Sequence, residues 1–562
     1  MFLQRVSEYA DRLDLPPVMY QKTRVQWFID LDSDGKLEGL TPLDSGDPKR
    51  PGRDWLAPHI GRSSGIRPKL LADTGEYVLG VPRENSKPER VAECHRQFQK
   101  LVRRCAEATS EPSVLATLAF VTSWSKDSFV PPQGFDAGHV LTFRVAEIVP
   151  IDLPAVRNFW RAETTADTSE NGSAKPQMEC IVCGTVTGVE SVLPVKIKGI
   201  PGGQPSGTML ISANAEAFES YALSSSLIAP TCMRCGERVA NGINDLLAGR
   251  NTHLRMGPLA YIFWTREETE LDLASLFSQP DPEQVKTLLE SARMGKEALG
   301  IEDSDFYAMA LSASGGRVVV RDWLETTVEH VKANLASWFL SQRLVGLDGE
   351  EGLPFGIYPL AASLYRDANK EMVANVPRLL LRAALHGTPL PDWLLYHAVR
   401  RNRADAQISR PRITLIKMLL KPHYGKECTM EELDPNRQEP AYLCGRLFAE
   451  LEQVQKLAIN PKATIVDRYF GTASSAPATV FGTLLRGAQA HLGKLRKTRE
   501  GAFYGLQERI EEILKGLPAF PKTLALKEQA LFSLGYYHQR AADRAAAKAA
   551  KENKNQANAD NE

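Results

Sequence analysis

Hydrophobic positions in the last quarter of the chain recur at helical spacing in four separate stripes. Leu443, Leu447, Leu451, Val454 and Ala458 make the first. Phe481, Leu484, Leu485, Ala488, Leu492 and Leu495 make the second, with Ser475 as a predicted cap and Pro477 in the first turn. Ile510, Ile513, Leu514 and Leu517 make the third, stopped by Pro518 and Pro521, and Leu526, Ala530, Leu534 and Tyr537 the fourth. Four apolar stripes with short connections predict an antiparallel bundle in which these leucines are core. Beyond Asp543 the Ala/Lys/Asn-rich composition predicts a disordered tail.

The first 150 residues mix two periods. Phe2, Leu3, Val6, Tyr9, Ala10 and Leu13 predict an amphipathic helix ended by Pro16-Pro17. Val25–Ile29 reads as a strand, followed by a hairpin turn at Asp30–Gly35. That turn imitates a calcium loop at four positions but carries Thr41 where a bidentate glutamate is required. Tyr77–Val81 reads as a strand, Pro88–Ala108 as a helix and His139–Val149 as a long strand. The segment from Thr164 to Gln177 is polar and reads as a linker. Arg238–Leu247 looks helical, and Tyr261–Trp264 is a short buried strand. Beyond it Leu324, Val328, Val331 and Leu335 share one helical face, and Leu379, Leu380, Ala383 and Ala384 another.

Two Cys-x-x-Cys-Gly knuckles, Cys180/Cys183 and Cys232/Cys235, interrupt this pattern. Four thiolates at this spacing suit one tetrahedral ion with no open position, which predicts a structural zinc. The 48 residues between the knuckles (184–231) exceed the gap of about 15–20 in a minimal zinc ribbon, so the clamp is expected to hold the root of an inserted loop. Two redox-active pairs are the alternative. The insert contains Lys196-Ile-Lys198-Gly199-Ile-Pro-Gly202-Gly203-Gln204-Pro-Ser206-Gly207.

The 562-residue chain has 43% apolar and 24% charged residues, ordinary for a soluble globular protein, and a net charge of zero. The average hides blocks. Leu395–Lys426 holds eight Lys/Arg and one acid, and Glu267–Asp305 eleven acids against three cations. A basic face suits phosphate; a solvated helix surface is the bland alternative. Residues 49–69 are also basic, with Gly61-Arg62-Ser63-Ser64-Gly65-Ile66-Arg67-Pro68-Lys69 at their centre. The other four cysteines are scattered, which fits a reducing compartment. The N-terminus lacks a signal-peptide pattern, and the longest near-apolar run, Val114–Trp124, is too short to span a bilayer, so a cytoplasmic protein without a membrane partner is expected. There is no phosphate loop, no His-Glu-x-x-His helix and no Gly-x-Ser-x-Gly elbow. Ten singly scattered histidines add no catalytic constellation, and the balance points to a binding protein rather than an enzyme.

Several separated motifs then resemble the large subunit of the type I-C CRISPR surveillance complex (Cascade). They are Ile66-Arg67-Pro-Lys69-Leu-Leu, Glu76-Tyr77-Val-Leu-Gly80, Ile197–Gly207 with Ala217-Phe218-Glu-Ser220-Tyr221, Glu439–Leu447, Asp467-Arg468-Tyr469-Phe470-Gly471 and Gly535-Tyr536-Tyr537-His538-Gln539. The resemblance implies a non-catalytic subunit at the 5′ end of a guide RNA. Such a subunit reads the protospacer-adjacent motif on target duplex DNA, aids R-loop formation and supports recruitment of a helicase–nuclease, while base pairing reads the target. Its other partners would be the backbone, RNA-processing and small subunits. The resemblance also implies that the helical C-terminal part is like a small subunit, which internal translation from Met418 or Met430 would release. Relatives in this family often lack one or both cysteine pairs, so the zinc is expected as a feature of this branch and not as the DNA-reading site.

The expected architecture is an α+β N-terminal body with a four-cysteine zinc-ribbon-like insertion, followed by mostly helical regions and a C-terminal helical bundle. The expected boundaries are 1–165 for the α+β domain, 166–260 for the zinc-knuckle region, 261–429 for a mainly helical region with the basic block, 430–545 for the bundle and 546–562 for the tail. Arg62, Ser63, Arg67 and Lys69 in one loop, and Lys198, Gly203, Gln204 and Ser206 in the other, are the candidate duplex readers. Glutamine pairs bidentately with adenine, and lysine or arginine with guanine. Arg468, Lys494, Arg496, Lys497 and Arg499 are candidates for tracking a displaced strand electrostatically. A zinc or redox enzyme using the cysteine pairs is the competing function.

Overall fold

The computed structural model describes residues 2–17, 19–44, 46, 51–60, 65–165, 175–213, 215–267, 272–294, 304–424 and 429–559. Two compact units divide the chain. One comprises Met1–Lys198, Gln204–Asp245 and Gly316–Val318, the other Gly199–Gly203, Leu246–Gly315 and Val319–Glu562.

The first unit opens with α1 (Phe2–Ala10), whose apolar stripe buries Leu3, Val6 and Ala10. Strands β1 (Tyr20–Val25), β2 (Trp27–Leu31), β3 (Leu37–Pro42), β4 (Arg53–Pro58) and β5 (Ala72–Thr74) follow, then a single turn α2 (Gly75–Val78). Helices α3 (Pro88–Thr109) and α4 (Pro112–Ser123), strand β6 (Val140–Val145) and helix α5 (Pro154–Thr165) complete the α+β body. Its sheet has the order β3-β2-β6-β5, with β2 and β6 parallel and the other pairs antiparallel. Ile29, Leu31, Leu141 and Phe143 on the sheet share one core with Phe98, Leu101 and Phe120 on α3 and α4. The β2–β3 turn is the expected hairpin. Asp32 Oδ1 accepts from the amides of Asp34 and Lys36 at 3.0 and 2.8 Å, and Gly35 takes φ +82°.

Two strand expectations in this body fail for a stated reason. Tyr77–Val81 is helical in part because β5 already fills the slot beside β6, and the chain turns at once with Leu79 N–H donating to Gly75 O at 2.9 Å. His139–Val149 shortens to β6 because Ala146 and Glu147 adopt φ of +44° and +69°, which no strand tolerates. The cysteine segment follows, with β7 (Gln177–Glu179), β8 (Val186–Gly188) and α6 (Met233–Ala248). The linker expected at 164–177 lies largely outside the described residues.

The second unit contains β9 (His253–Met256), β10 (Leu259–Thr265), α7 (Leu273–Ser278), α8 (Pro282–Met294), β11 (Asp305–Ser314) and β12 (Arg317–Thr327). These strands form a second four-stranded sheet, β12-β11-β10-β9. Only β10 is visible in the hydrophobic pattern. β11 buries seven consecutive residues from Phe306 to Ser312, so it lacks the alternation that marks a half-buried strand. Leu324 belongs to β12 and not to the helical face expected for it. The helix α9 (Val328–Gln342) begins after Thr327, whose side chain accepts from His330 N–H.

Helices α10 (Ile357–Ala362), α11 (Ala368–Glu371), α12 (Asn375–His386), α13 (Trp393–Asp405) and α14 (Arg410–Leu420) lead to the C-terminal bundle of α15 (Pro440–Ile459), α16 (Ile465–Ala473), α17 (Phe481–Thr498), α18 (Glu500–Lys515) and α19 (Leu526–Ala559). The four expected stripes lie on α15, α17, α18 and α19, and α16 is an addition. Ser475 does not cap the second stripe. Its hydroxyl donates to Gly471 O at 2.8 Å and so closes α16, while Val480 precedes α17. Helix α19 continues to Ala559, past the point where composition predicts fraying.

The seam between α15 and α19 gives a structural reason for the glycines in the two motifs there, Glu439–Leu447 and Gly535–Gln539. A Cβ on Gly445 would lie 2.1 Å from Phe532 O, and one on Gly535 2.2 Å from Tyr442 O. Each glycine therefore lets the opposite backbone come close. Polar groups seal the same seam: Tyr442 and His538 at 2.9 Å, Arg446 and Gln539 at 2.9 Å, and Tyr536 to Glu452 at 2.7 Å.

Candidate metal centre and nucleic-acid interface

The two knuckles meet through backbone pairing rather than through sulfur alone. The β7–β8 hairpin holds Cys180 and Cys183 in its turn, with Gly184 at φ +72° donating to Cys180 O at 2.8 Å. That turn and the chain after β8 dock on the segment before α6. Ile181 N–H donates to Pro230 O at 2.9 Å, Glu190 N–H to Thr231 O at 3.1 Å, and Val189 bridges Cys232. This brings the four sulfurs within 4.8 Å of one another. A tetrahedral zinc at about 2.3 Å from each sulfur spaces its ligands about 3.8 Å apart, so the cluster has the size to hold one metal ion.

The local chemistry suits a cation. Cys232 N–H reaches Cys180 Sγ at 3.4 Å, and the amides of Val182 and Cys183 also turn toward that sulfur. Hydrogen bonding from the Cys235 thiol leads the forces that pull Cys232 down to about 5. Burial alone would raise Cys183, but hydrogen bonds from the amide and hydroxyl of Thr185, together with those of Cys180 and Cys235, outweigh it and hold its thiol below the usual range. The neighbouring Cys232 thiolate pushes Cys235 up, followed by burial, and burial raises Cys180. Four mutually hydrogen-bonded thiols that favour charge on some members have the donor set of a metal site. The remaining described cysteines differ. Cys94, Cys105 and Cys444 are buried apart from the cluster, and burial pushes Cys105 and Cys444 up to about 12.

The glycines that follow the two cysteine pairs differ: Gly184 is in a turn, and Gly236 is not. It lies inside α6, and a Cβ there would meet Leu193 Cδ2 at 3.0 Å, so its role is to admit the incoming chain at 193–194.

Helix α6 connects the cluster to the α+β body. The Glu237 carboxylate accepts from Met19 N–H at 3.0 and 3.2 Å, Arg238 donates to Ser7 O at 3.0 Å and pairs with Asp11, and Tyr9 donates to Asp245 at 2.7 Å. About two turns after Glu237, Asn244 grips the glycine-rich loop. Its Oδ1 accepts from Lys198 N–H at 2.8 Å and its Nδ2 donates to Lys196 O at 3.0 Å. The loop is closed at its base by Ile197 and Thr208, which exchange two backbone hydrogen bonds of 2.8 Å. Gly207 at φ +97° is obligatory there, since a Cβ would strike Lys196 Cβ at 2.7 Å. Above this base Lys198, Gln204 and Ser206 are exposed and Gly203 is half-exposed.

The structure treats the other candidates unequally. Arg62 and Ser63 lie outside the described residues. Arg67 and Lys69 are half-buried and both are engaged with neighbours, and Lys69 N–H donates to Asp73 at 2.8 Å. Lys494, Arg496, Lys497 and Arg499 are gathered at the end of α17, all exposed, with Arg496 5.9 Å from the Phe503 ring centroid. Arg468 is exposed on α16, a different helix, and none of these five cations is in an ion pair with a described residue. Sequence reasoning missed a cavity of about 640 Å³ lined by Pro16, Pro17, Pro154, Arg157, Asn158, Arg161 and Arg234. Arg157 and Arg161 are one helical turn apart on α5, and Arg234 comes from the second knuckle. That i, i+4 pair was the only signal in the sequence.

A family model described as CRISPR-associated protein (Cas_Csd1) matches residues 3–543. The chain belongs to that family. No curated protein matches it. Membership in this family agrees with the resemblance carried by the bundle and loop motifs as far as a CRISPR-associated protein. Among the described residues no helix is long and apolar enough to cross a membrane.

Proposed function

We propose that this chain is the non-catalytic large subunit of a type I-C RNA-guided DNA surveillance complex. In this reading it sits at the guide RNA 5′ end in the cytoplasm, reads the protospacer-adjacent motif on duplex DNA, aids R-loop formation and supports recruitment of a helicase–nuclease. The backbone, RNA-processing and small subunits are its remaining partners. The family match across residues 3–543 carries the reading. The exposed, glycine-shaped loop held by Asn244 supports it, because a groove reader needs side chains on a backbone that approaches DNA closely.

Cys180, Cys183, Cys232 and Cys235 hold a structural zinc that fixes the start of α6, and α6 in turn fixes the loop. Lys198, Gly203, Gln204 and Ser206 touch the duplex, with Arg62, Ser63, Arg67 and Lys69 as the second reading loop. Arg157, Arg161 and Arg234 supply a further phosphate contact at the cavity they line. Arg468, Lys494, Arg496, Lys497 and Arg499 follow the displaced strand. A small subunit translated from Met430 would begin just ahead of α15, whereas one from Met418 would retain the last residues of α14.

The decisive experiment uses the assembled complex carrying Lys198→Ala and Gln204→Ala. It should lose discrimination between targets with and without the adjacent motif. Discrimination equal to wild type would remove the loop from motif reading. Metal analysis separates the competing enzyme reading: one tightly held zinc is expected, whereas reversible disulfides without metal would point to redox chemistry.

A further inference from the structure

The basic block at 395–426 resolves into two kinds of cation. Most of those described are internal. Arg412 donates to Asp405 at 2.8 Å and to Ser363 O at 2.7 Å, Arg401 pairs with the same Asp405, and Arg410 lies 4.6 Å from the Phe355 ring centroid. Lys417 is fully enclosed and donates to Arg343 O, and burial pulls it down to about 8. Lys421 is half-buried, and Lys426 lies outside the described residues. Arg400 and Arg403 alone of the described cations on α13 point to solvent without an ion pair to a described residue.

Those two arginines continue a ridge begun by two exposed aromatic rings. Trp393 is 38% and Tyr396 52% exposed. Positions 393, 396, 400 and 403 are spaced three, four and three apart, so they form one line along the helix, about 15 Å long at 1.5 Å per residue. The opposite face, Leu394, Leu395, Ala398, Val399 and Asn402, is buried. Both rings meet His397 edge to face, at centroid distances of 5.5 and 5.8 Å, which limits their rotamers without covering them. Of the nearby acids, Asp405 is held by Arg401 and Arg412, which leaves Asp392, exposed at the Trp393 end of the ridge and 3.7 Å from His423. Helix α13 also packs against α16, which carries the exposed Arg468. A single exposed aromatic is ordinary. Two aromatics in line with two guanidiniums that make no ion pair with a described residue have the chemistry that holds unpaired bases and their phosphates.

We propose that the α13 ridge Trp393–Tyr396–Arg400–Arg403 binds single-stranded nucleic acid, stacking bases on the two rings and phosphates on the two arginines. The displaced strand of an opened duplex would supply such bases, so the inference deepens the proposed function while using residues apart from the motif-reading loop. The test titrates the purified full chain with fluorescein-labelled oligo-dT and oligo-U. Trp393→Ala/Tyr396→Ala should weaken binding at least about tenfold, and Trp393→Phe/Tyr396→Phe should restore most of it. Arg400→Gln/Arg403→Gln should flatten the slope of log K against log salt by roughly 1.4. Loss on oligo-dT alone identifies DNA as the source and loss on oligo-U alone identifies RNA; either supports the ridge. Wild-type affinity in the alanine pair, or no single-strand binding by the wild-type chain, overturns it. So does unchanged oligonucleotide binding with lost co-purification of another subunit, which makes the ridge a protein-docking face. Motif discrimination on duplex targets, run in parallel, reports on the Lys196–Gly207 loop alone, so either reading fails without the other.

Discussion

Glycine does opposite work in the C-terminal bundle and in the cysteine-anchored loop. Gly445 and Gly535 sit in helices of ordinary geometry, and their value is the missing Cβ, since each faces a carbonyl about a bond length too near for a side chain. A Cβ on Gly202 would meet nothing within 4 Å and its φ is +74°, so its value is conformational. Polar groups divide the same way. The bundle buries Tyr442, Arg446, Glu450, Glu452, His538 and Gln539 in mutual hydrogen bonds, which demand a single arrangement of helices. The loop keeps Lys198, Gln204 and Ser206 in solvent and spends its hydrogen bonds on the backbone at its base. One region is specified by what it excludes and the other by what it leaves available to a partner.

Removing a ligand cysteine should have the largest effect. Cys232→Ser is expected to abolish stoichiometric zinc and to cost several kcal/mol locally, read as lost amide protection in α6 and at Ile197–Thr208. Retained protection in a zinc-free variant would show that backbone pairing alone holds the loop. Next comes Gly535→Ala. Alanine gains about 1 kcal/mol of helix propensity, but the clash with Tyr442 O cannot be relieved by a rotamer. A net loss of about 2–3 kcal/mol in denaturant unfolding is expected; the same change at Gly202, with room around it, should cost only its positive-φ strain of about 1–2 kcal/mol.

An effect confined to part of the pH range follows from Glu450. Burial, then the charge of Asp543, pushes its carboxyl up to about 7 despite Arg509 at 2.6 Å. The unfolded chain titrates near about 4.3. Between those values the folded state keeps a proton that the unfolded state has released, so stability falls as pH rises from about 4.5 to about 7. Across that window the slope approaches about 1.4 kcal/mol per pH unit. Glu450→Gln should flatten this part of the unfolding profile, and an unchanged slope would assign the proton elsewhere. Smallest in stability is Asn244→Ala, which removes two exposed hydrogen bonds at about 1 kcal/mol or less. It should nevertheless weaken motif-dependent DNA binding several-fold with zinc retained. Unaltered binding would show that the loop does not need its grip on α6.

Much of this arrangement was legible in the residues. The bundle stripes, the amphipathic α1, the Asp30–Gly35 hairpin and the cysteine pairing all depend on spacing within a short segment, and spacing is visible in a linear text. Where neighbours distant in sequence decide the outcome, the reading failed. Tyr77–Val81 alternates acceptably for a strand, but β5 had taken the place. β11 has no period because both of its faces are covered. The basic block was legible as charge, yet not which half of it would be consumed by Asp405, Ser363 and Arg343. Likewise no pattern announces that Arg157, Arg161 and Arg234 line one cavity, since Arg234 comes from another element.

The sequence by itself determined the element types with clear periodicity, the four-thiol donor set and, through motifs spread over the chain, its family. Tertiary structure alone decided which cations and aromatics remain exposed, which glycines are spaces rather than hinges, and that Asn244 holds the loop. The physical reason is that composition and periodicity report local backbone preference and burial on average. Exposure and partnership belong to pairs of groups far apart in the chain, and only packing brings such pairs together.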